Sequence, residues 1–268
     1  MYAMKPEVFL AGHRVFSRDE FAAVLRRRGR TEATLDSHLS RWRRQGRIAR
    51  VTPGVFLRLD AAADARDPGT DFLALASRMA PDAVLAYHTA LEVHGVAHSV
   101  FERFTFLTWT KTRPTSFRGR RFIPVRPRAP LLAADGGGAW VEKADRGGGE
   151  IRVTTIERTV ADVLDRPDLA GGTEEVWRSL HGVPAVDPKA LEQYVVLLGS
   201  RTLAAKVGFF LDSRRDELVV PTALLERLRT RIPRAPVFMD RSRKGHLVAR
   251  WALIVPPAML AGGDGAGA

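Results

Sequence analysis

The stretch from Ser17 to Leu59 constrains the fold most, because two predicted helices and a predicted hairpin follow one another closely there. The first helix is predicted to begin at Ser17, whose hydroxyl and the Glu20 carboxylate three residues later have the spacing of a capping box. A second helix is predicted from Thr31 to Gln45, with an apolar stripe of i, i+4, i+7 spacing that faces the interior. That stripe consists of Leu35, Leu39 and Trp42.

Two short apolar runs follow the second helix and flank a Pro-Gly turn. Ile48–Val51 and Val55–Leu57 lie on either side of Thr52-Pro53-Gly54, which predicts a β-hairpin. Helix, turn, helix and hairpin in this order are typical of a winged helix-turn-helix, in which the second helix enters a DNA groove. The sequence therefore predicts a DNA-binding domain over residues 1–60.

The face of the second helix opposite the apolar stripe carries hydroxyl and guanidinium groups, which reach base edges and phosphates in DNA complexes. A rotation of about 100° per residue from Leu35 places Ser37 and Arg44 on the far side and His38 at the boundary. The hairpin adds further polar groups beside this helix. The predicted DNA-binding residues are Thr34, Ser37, His38, Arg41, Arg44, Arg47, Arg50 and Thr52.

Positive charge is concentrated in the same segment. Residues 26–50 hold nine arginines against two acidic residues, Glu32 and Asp36. The chain has a net charge of +12, and residues 1–60 hold 13 basic and 6 acidic residues against 29 and 24 in residues 61–268. A general arginine bias would spread the charge evenly, so the concentration favours a polyanionic partner. A solvated charged face is the alternative interpretation of this pattern.

The composition excludes several classes of site. The chain contains no cysteine, which excludes disulfides, cysteine-ligated zinc and thiol catalysis. No apolar leader is present at the start of the sequence, and no run approaches the roughly 18 apolar residues of a membrane span. We therefore expect a soluble, cytoplasmic protein with no membrane partner.

The remainder of the sequence predicts a larger domain of helices and strands, so the expected fold class is α+β. Residues 61–70 are small, polar and interrupted by Pro-Gly, which predicts a linker before a domain over residues 71–260. Residues 261–268 are rich in glycine and alanine and are predicted to be a disordered tail.

Within this larger domain, residues 83–93 are predicted to form one helix and residues 104–109 a buried strand. Pro236–Met239 and His246–Val255 are predicted to form the last pair of strands. The run Lys111–Arg128 has seven basic and no acidic residues, with aromatic residues interleaved. It fits either a second nucleic-acid surface or an edge strand protected by charge.

No catalytic motif is complete in the sequence, so we expect no enzymatic activity, no cofactor and no metal. His88, His94 and His98 lack the further ligands of a metal site, apart from Glu92. We therefore expect His88 to be a polar contact in the core.

Two further constellations fall short of a catalytic site. Gly199-Ser200 followed by Asp212 is similar to a nucleotidyltransferase signature, but Arg214 stands where that signature needs a second carboxylate. Glu157 and Asp162 lie within two turns of one predicted helix, which suits either a metal-dependent nuclease or a structural ion pair between Asp162 and Arg158.

Three blocks of sequence carry a resemblance to a known family. The first is Arg44–Phe56, the end of the predicted winged helix, and the second is Ala86–Gly95. The third, Val153–Asp162, leads to Arg166-Pro167 and then to Gly171-Gly172 and is the most specific of the three. Together they resemble the AbiEi-type antitoxins of type IV toxin–antitoxin and phage-abortive-infection systems. The likeness covers most of residues 10–215 and leaves the region after residue 215 unassigned.

The resemblance implies a bifunctional protein. Its winged helix would bind inverted repeats in the operator of its own operon and repress transcription. Its larger domain would counteract a cognate nucleotidyltransferase toxin. The second block departs from the family, with Tyr87 and His88 where small hydroxyl residues are common. The alternatives are a nuclease fused to a DNA-binding module and a transcription factor that responds to a ligand.

Overall fold

A computed structural model describes residues 4–59, 69–135, 138–146, 149–241 and 243–260. The predicted tail, and all of the predicted linker except its last two residues, lie outside these described residues. The described chain has a mixed α/β fold with several sheets. It divides into two compact units. The first contains the described residues up to 85 with 102–126 and 142–153, and the second contains 86–101, 127–141 and those from 154 onward.

The helices of the described residues are numbered in chain order, omitting 3-10 turns: α1 Pro6–Gly12, α2 Arg18–Arg26, α3 Glu32–Arg44, α4 Phe72–Ala76, α5 His88–Val93, α6 Ala129–Asp135, α7 Ile156–Asp165, α8 Thr173–His181, α9 Pro188–Leu198, α10 Arg201–Ser213, α11 Thr222–Arg229 and α12 Pro257–Leu260. The strands are β1 Val15–Ser17, β2 Ile48–Thr52, β3 Val55–Arg58, β4 Val84–Leu85, β5 Arg103–Leu107, β6 Thr115–Phe117, β7 Arg120–Val125, β8 Val141–Arg146, β9 Gly149–Thr154, β10 Val237–Phe238, β11 His246–Val248 and β12 Leu253–Val255.

The N-terminal part of the first unit combines α1, α2 and α3 with a three-stranded sheet of order β1-β3-β2. The Glu20 backbone N–H donates to the Ser17 hydroxyl at 3.1 Å, and the Ser17 N–H donates to the Glu20 carboxylate, so the predicted capping box is confirmed. Helix α3 and the β2–β3 hairpin also lie where the sequence predicts them. The sequence patterns did not predict α1 or β1, and β1 pairs with β3 so that Val15 lies opposite Leu57.

The rest of the first unit is built on a six-stranded mixed sheet of order β6-β7-β5-β4-β9-β8. Strand β5 runs parallel to β7, while β4 runs antiparallel to β5 and parallel to β9. Phe72 of α4 stacks on Phe104 of β5, which in turn stacks on Phe122 of β7. Aromatic packing therefore covers this part of one sheet face.

The predicted single helix over residues 83–93 is wrong, because strand β4 precedes α5. Val84 and Leu85 are buried and pair with β5, and Leu85 also lies opposite Val153 of β9. A strand in the middle of a sheet is buried on both faces, so its short apolar run has the same pattern as a buried helical segment. Tyr87, at φ 57°, precedes the first residue of α5.

The second unit is mostly helical, with buried apolar residues along α7, α9 and α10. Its small sheet has the order β10-β12-β11, with β10 parallel and β11 antiparallel to β12. The region predicted as the last strand pair forms three strands, because a 3-10 turn at Ala249–Trp251 separates β11 from β12. Trp251 is fully buried against Gly208 of α10, where a Cβ atom would lie 2.0 Å from the ring.

Candidate nucleic-acid interface

Helix α3 is amphipathic, with one side in the core and the other in solvent. The predicted stripe of Leu35, Leu39 and Trp42 is buried, which confirms the period of this helix. Ser37 and Arg44 on the opposite side are exposed. Burial of the stripe thus fixes which side chains α3 presents to a partner.

A groove of about 890 Å³ runs between α3 and strand β2. Of the predicted DNA-binding residues, Ser37, Arg44 and Arg50 line it. Most of the lining side chains carry hydroxyl or guanidinium groups. The complete lining is Asp36, Ser37, Ser40, Arg43, Arg44, Ile48, Ala49 and Arg50.

Ser40 and Arg43 line the groove although the predicted site does not include them. The helical period places Arg43 about 80° from Leu35, on the flank of the helix and not on its outer face. Strand β2 lies along this flank, so Arg43 becomes part of the groove wall. The position of Arg43 in the groove wall depends on the packing of the hairpin against α3. The spacing of residues within the helix does not predict it.

Three arginines give the groove its charge. Arg43, Arg44 and Arg50 are all exposed, and none of them forms an ion pair with any residue that the structure describes. Guanidinium groups remain charged at any physiological pH and present paired donors that suit phosphate oxygens. The groove therefore holds three positive charges available to an external anion.

The acidic residues of α3 are neutralised within the protein. Arg18, the first residue of α2, lies 2.9 Å from Glu32 and 2.5 Å from Asp36. Its guanidinium holds the pKa of the Asp36 carboxyl below the ordinary value. Asp36 is the only carboxylate among the groove-lining residues, so this ion pair reduces its repulsion of an anion.

Arg41 and Arg47, both in the predicted site, lie outside the groove lining and share a carboxylate from α1. Glu7 Oε2 is 2.7 Å from Arg47 Nη2, and Glu7 Oε1 is 3.5 Å from Arg41 Nη2. The indole N–H of Trp42 also donates to Glu7, at 3.3 Å. The hydrogen bond from Arg47 is the main reason that the pKa of Glu7 lies below its ordinary value.

The remaining predicted residues also lie outside the groove lining. His38 is half-buried, and Arg41 Nη2 donates to its Nδ1 at 2.9 Å. Burial, together with the nearby charge of Arg41, lowers the pKa of His38. Thr34 is half-buried with its hydroxyl 3.3 Å from that of Thr31, and Thr52 is half-buried at the end of β2.

The third resemblance block forms a buried polar cluster in the second unit. The predicted Arg158–Asp162 ion pair is confirmed, with Arg158 Nε donating to Asp162 Oδ2 at 3.3 Å. The Tyr194 hydroxyl donates to Asp162 Oδ1 at 2.7 Å. Glu157 instead accepts a hydrogen bond from the Asp187 backbone N–H at 3.0 Å. The two carboxylates thus serve different structural contacts.

His88 is buried between two carboxylates of the same unit, so the predicted polar core contact is confirmed. Its Nδ1 lies 3.0 Å from Glu92 and its Nε2 3.3 Å from Glu175. His94 bonds elsewhere, with its Nε2 2.8 Å from the Thr154 carbonyl oxygen. Within the described residues, no group of three or more histidine, aspartate or glutamate side chains is arranged to hold a metal ion.

Most of the chain is similar in fold to a protein of solved structure. The crystal structure of RV2827C protein from Mycobacterium tuberculosis matches 92% of this chain and 89% of its own, with a TM-score of 0.57 and 16% sequence identity. At this identity the likeness concerns the fold alone. No family model and no curated protein matches the sequence. None of the described helices has the length and apolar character needed to cross a bilayer.

Proposed function

We propose that the chain binds double-stranded DNA through a winged helix-turn-helix, with α3 in the major groove and the β2–β3 hairpin against the backbone. The groove between α3 and β2 carries this proposal, because it combines three arginines available to an anion with two serine hydroxyls. Groups that bind phosphates and groups that reach base edges thus share one surface.

The roles of individual residues follow from their positions. Arg43, Arg44 and Arg50 would bind phosphates on either side of the helix, while Ser37 and Ser40 would reach base edges. Arg41 and Arg47 are not available to an external anion while they pair with Glu7. These two arginines would contact DNA only after that carboxylate is displaced.

Selection from a random duplex library tests this proposal, because the protein itself picks out the sequence it prefers. The full-length protein is immobilised, bound duplexes are amplified over successive rounds, and the affinity of the enriched sequence is measured by fluorescence anisotropy. We expect a defined sequence to emerge and its affinity to fall steeply with salt, as phosphate contacts require. Failure to enrich any sequence, with affinity independent of salt, would contradict the proposal.

Replacing Glu7 with glutamine should tighten DNA binding. The variant loses the carboxylate that competes with phosphate for Arg41 and Arg47. One additional phosphate contact would raise affinity about fivefold at roughly 0.15 M salt and steepen the salt dependence by about one counterion. Anisotropy titrations at several salt concentrations measure both quantities.

The matched control for this variant is Glu174→Gln. Glu174 is also an exposed helical carboxylate paired with an arginine, Arg178, but it lies in the second unit. We expect the Glu174→Gln variant to bind DNA with the same affinity as the wild type. Weaker binding by the Glu7→Gln variant would mean that Glu7 holds the arginines in a productive position instead of competing for them.

We further infer from the three resemblance blocks that the protein is an AbiEi-type antitoxin that represses its own operon and counteracts a nucleotidyltransferase toxin. In the third block, Val153–Asp162, Arg158 and Asp162 form a buried ion pair that stabilises the fold. Any surface that opposes the toxin must therefore involve residues outside this pair.

Co-expression separates the two activities. A nucleotidyltransferase encoded beside this gene is induced with either the wild-type protein or a variant in which Arg43, Arg44 and Arg50 are all glutamine. We expect both to restore growth, while only the wild type represses a reporter placed behind the operator. Growth arrest in the presence of the wild-type protein would contradict the antitoxin assignment.

A further inference from the structure

The segment from Arg103 to Arg126 carries a second group of exposed cations in the first unit, on and beside strands β5, β6 and β7. We call this group the basic edge. The segment from Arg103 to Arg126 contains no acidic residue. The members of the basic edge are Lys111, Arg113, Arg121 and Arg126.

One arginine of the basic edge lies beside a half-buried arginine in the sheet. Arg103 of β5 is in register with Arg121 of β7, and Arg121 is in register with Ser116 of the edge strand β6. Residues in register on neighbouring strands project from the same face. Arg103 and Arg121 therefore place two positive charges on one face of the sheet.

The four cations of the basic edge are available to a partner. Lys111, Arg113, Arg121 and Arg126 are exposed, and no ion pair to any described residue involves them. The neighbouring cations differ in this respect, since Arg120 pairs with Glu102 and Arg118 donates to the Thr70 hydroxyl. The sheet thus leaves one subset of its cations without an internal anion.

The dimensions fit a nucleic-acid backbone. Arg121 is the second residue of β7 and Arg126 directly follows its last residue, so about 16 Å of extended chain separates their Cα atoms. One strand of a duplex presents about five phosphates over that length. A duplex strand that lies along β7 would therefore present several phosphates over the length of this edge.

The aromatic residues of the segment favour a duplex over a single strand. Single-stranded nucleic acids bind by stacking their bases on exposed aromatic rings. Phe104 and Phe122 are buried in the aromatic stack with Phe72, and the Arg118 guanidinium lies 5.5 Å from the Phe117 ring centroid. Phe106 is also buried, so Trp109 and Phe117 are the only half-buried rings of the segment and charge is the main means of recognition.

We propose that the basic edge is a second phosphate-binding surface, which contacts duplex DNA flanking the sequence held by α3. The inference rests on the proposed function, because it takes the DNA bound at α3 as its ligand. Both surfaces belong to the same compact unit. DNA beyond the core sequence would therefore add affinity without adding sequence preference.

The test compares two duplexes, the enriched core sequence alone and the same core with about 12 random base pairs on each side. The variant is Arg113→Gln with Arg121→Gln, and anisotropy titrations are run at several salt concentrations. Loss of two phosphate contacts should weaken binding of the flanked duplex about 30-fold at roughly 0.15 M salt and reduce the salt slope by about 1.8. Binding of the core duplex should not change.

Two controls accompany this variant. Arg231→Gln with Arg234→Gln removes the same charge from exposed positions in the second unit and should bind both duplexes like the wild type. Arg113→Lys with Arg121→Lys keeps the charge and should retain most of the flank-dependent affinity. Matching thermal unfolding curves and elution volumes establish that each variant is folded and monodisperse.

Three results would overturn the inference. The first is equal loss of affinity for core and flanked duplexes, and the second is no loss for either while the wild type binds DNA normally. The third is aggregation of the glutamine variant with unchanged DNA affinity of its soluble fraction, which would mean that the charges only protect the edge strand. A wild-type protein that binds no duplex at all would instead show that the proposed function is wrong.

Discussion

Replacing Arg158 with methionine is expected to lower the free energy of unfolding by about 3–5 kcal/mol. Arg158 is fully buried, and its removal leaves the Asp162 carboxylate in the interior, where among the described side chains the Tyr194 hydroxyl still donates to it. A buried carboxylate without a compensating charge must either pay for its desolvation or take up a proton. Urea denaturation followed by circular dichroism measures the loss.

The second unit offers a close control for this variant. Arg178 and Glu174 also form an ion pair four residues apart on a helix, but their side chains are 56% and 72% exposed, against 0% and 4% for Arg158 and Asp162. Arg178→Met should cost less than about 1 kcal/mol, because exposed pairs are screened by solvent. Similar losses for the two variants would show that burial does not set the energy of the pair.

A double variant separates two contributions to the loss of stability, the loss of the ion pair and the burial of an unpaired carboxylate. Arg158→Met combined with Asp162→Leu removes both charges from the interior. We expect this protein to be more stable than Arg158→Met alone, since no unpaired charge stays buried. The Tyr194 hydroxyl then loses its acceptor, so recovery should be incomplete by about 1–3 kcal/mol.

Replacing Arg43, Arg44 and Arg50 together with glutamine is expected to weaken DNA binding about 100-fold at roughly 0.15 M salt. Three phosphate contacts would be lost, and the magnitude of the slope of log K against log salt should fall by about 2.7. All three side chains are exposed, so the fold should be retained. Anisotropy titrations on the enriched duplex measure the affinity and its salt dependence.

The control must remove the same charge elsewhere on the protein. Arg215, Arg231 and Arg234 are exposed arginines of the second unit, and their replacement by glutamine lowers the net charge equally. We expect this protein to bind DNA within about threefold of the wild type, because none of the three lines the groove and charges that make no direct phosphate contact are screened by salt. Equal weakening of both triple variants would mean that net charge alone governs the affinity.

Local patterns predicted α2, α3 and the β2–β3 hairpin, though not α1 or β1, because the signals of these three elements are contained in a few neighbouring residues. The capping residues Ser17 and Glu20 marked the start of α2, and the buried stripe of α3 followed from helical spacing. The Pro-Gly turn likewise marked the β2–β3 hairpin. Each of these signals acts over a short stretch of the chain.

Features that depend on distant segments were not predictable in the same way. Val84 and Leu85 form a strand only because β5 and β9 lie on either side of them. Arg43 belongs to the groove because β2 packs along its flank of α3, and Arg41 and Arg47 are held by Glu7, which is distant from both in the sequence. The spacing of residues within one helix or strand does not predict contacts with segments that are distant in the sequence.

The path of the backbone between the two units also matters for how the protein can be dissected. The chain passes from one unit to the other five times, near residues 85, 101, 126, 141 and 153. Neither unit is therefore a continuous segment, and no single cut or fusion joint can transfer one of them intact to another protein. A cut between residues 84 and 154 would break the six-stranded sheet, so side-chain substitutions in the full-length chain are the sound way to separate its activities.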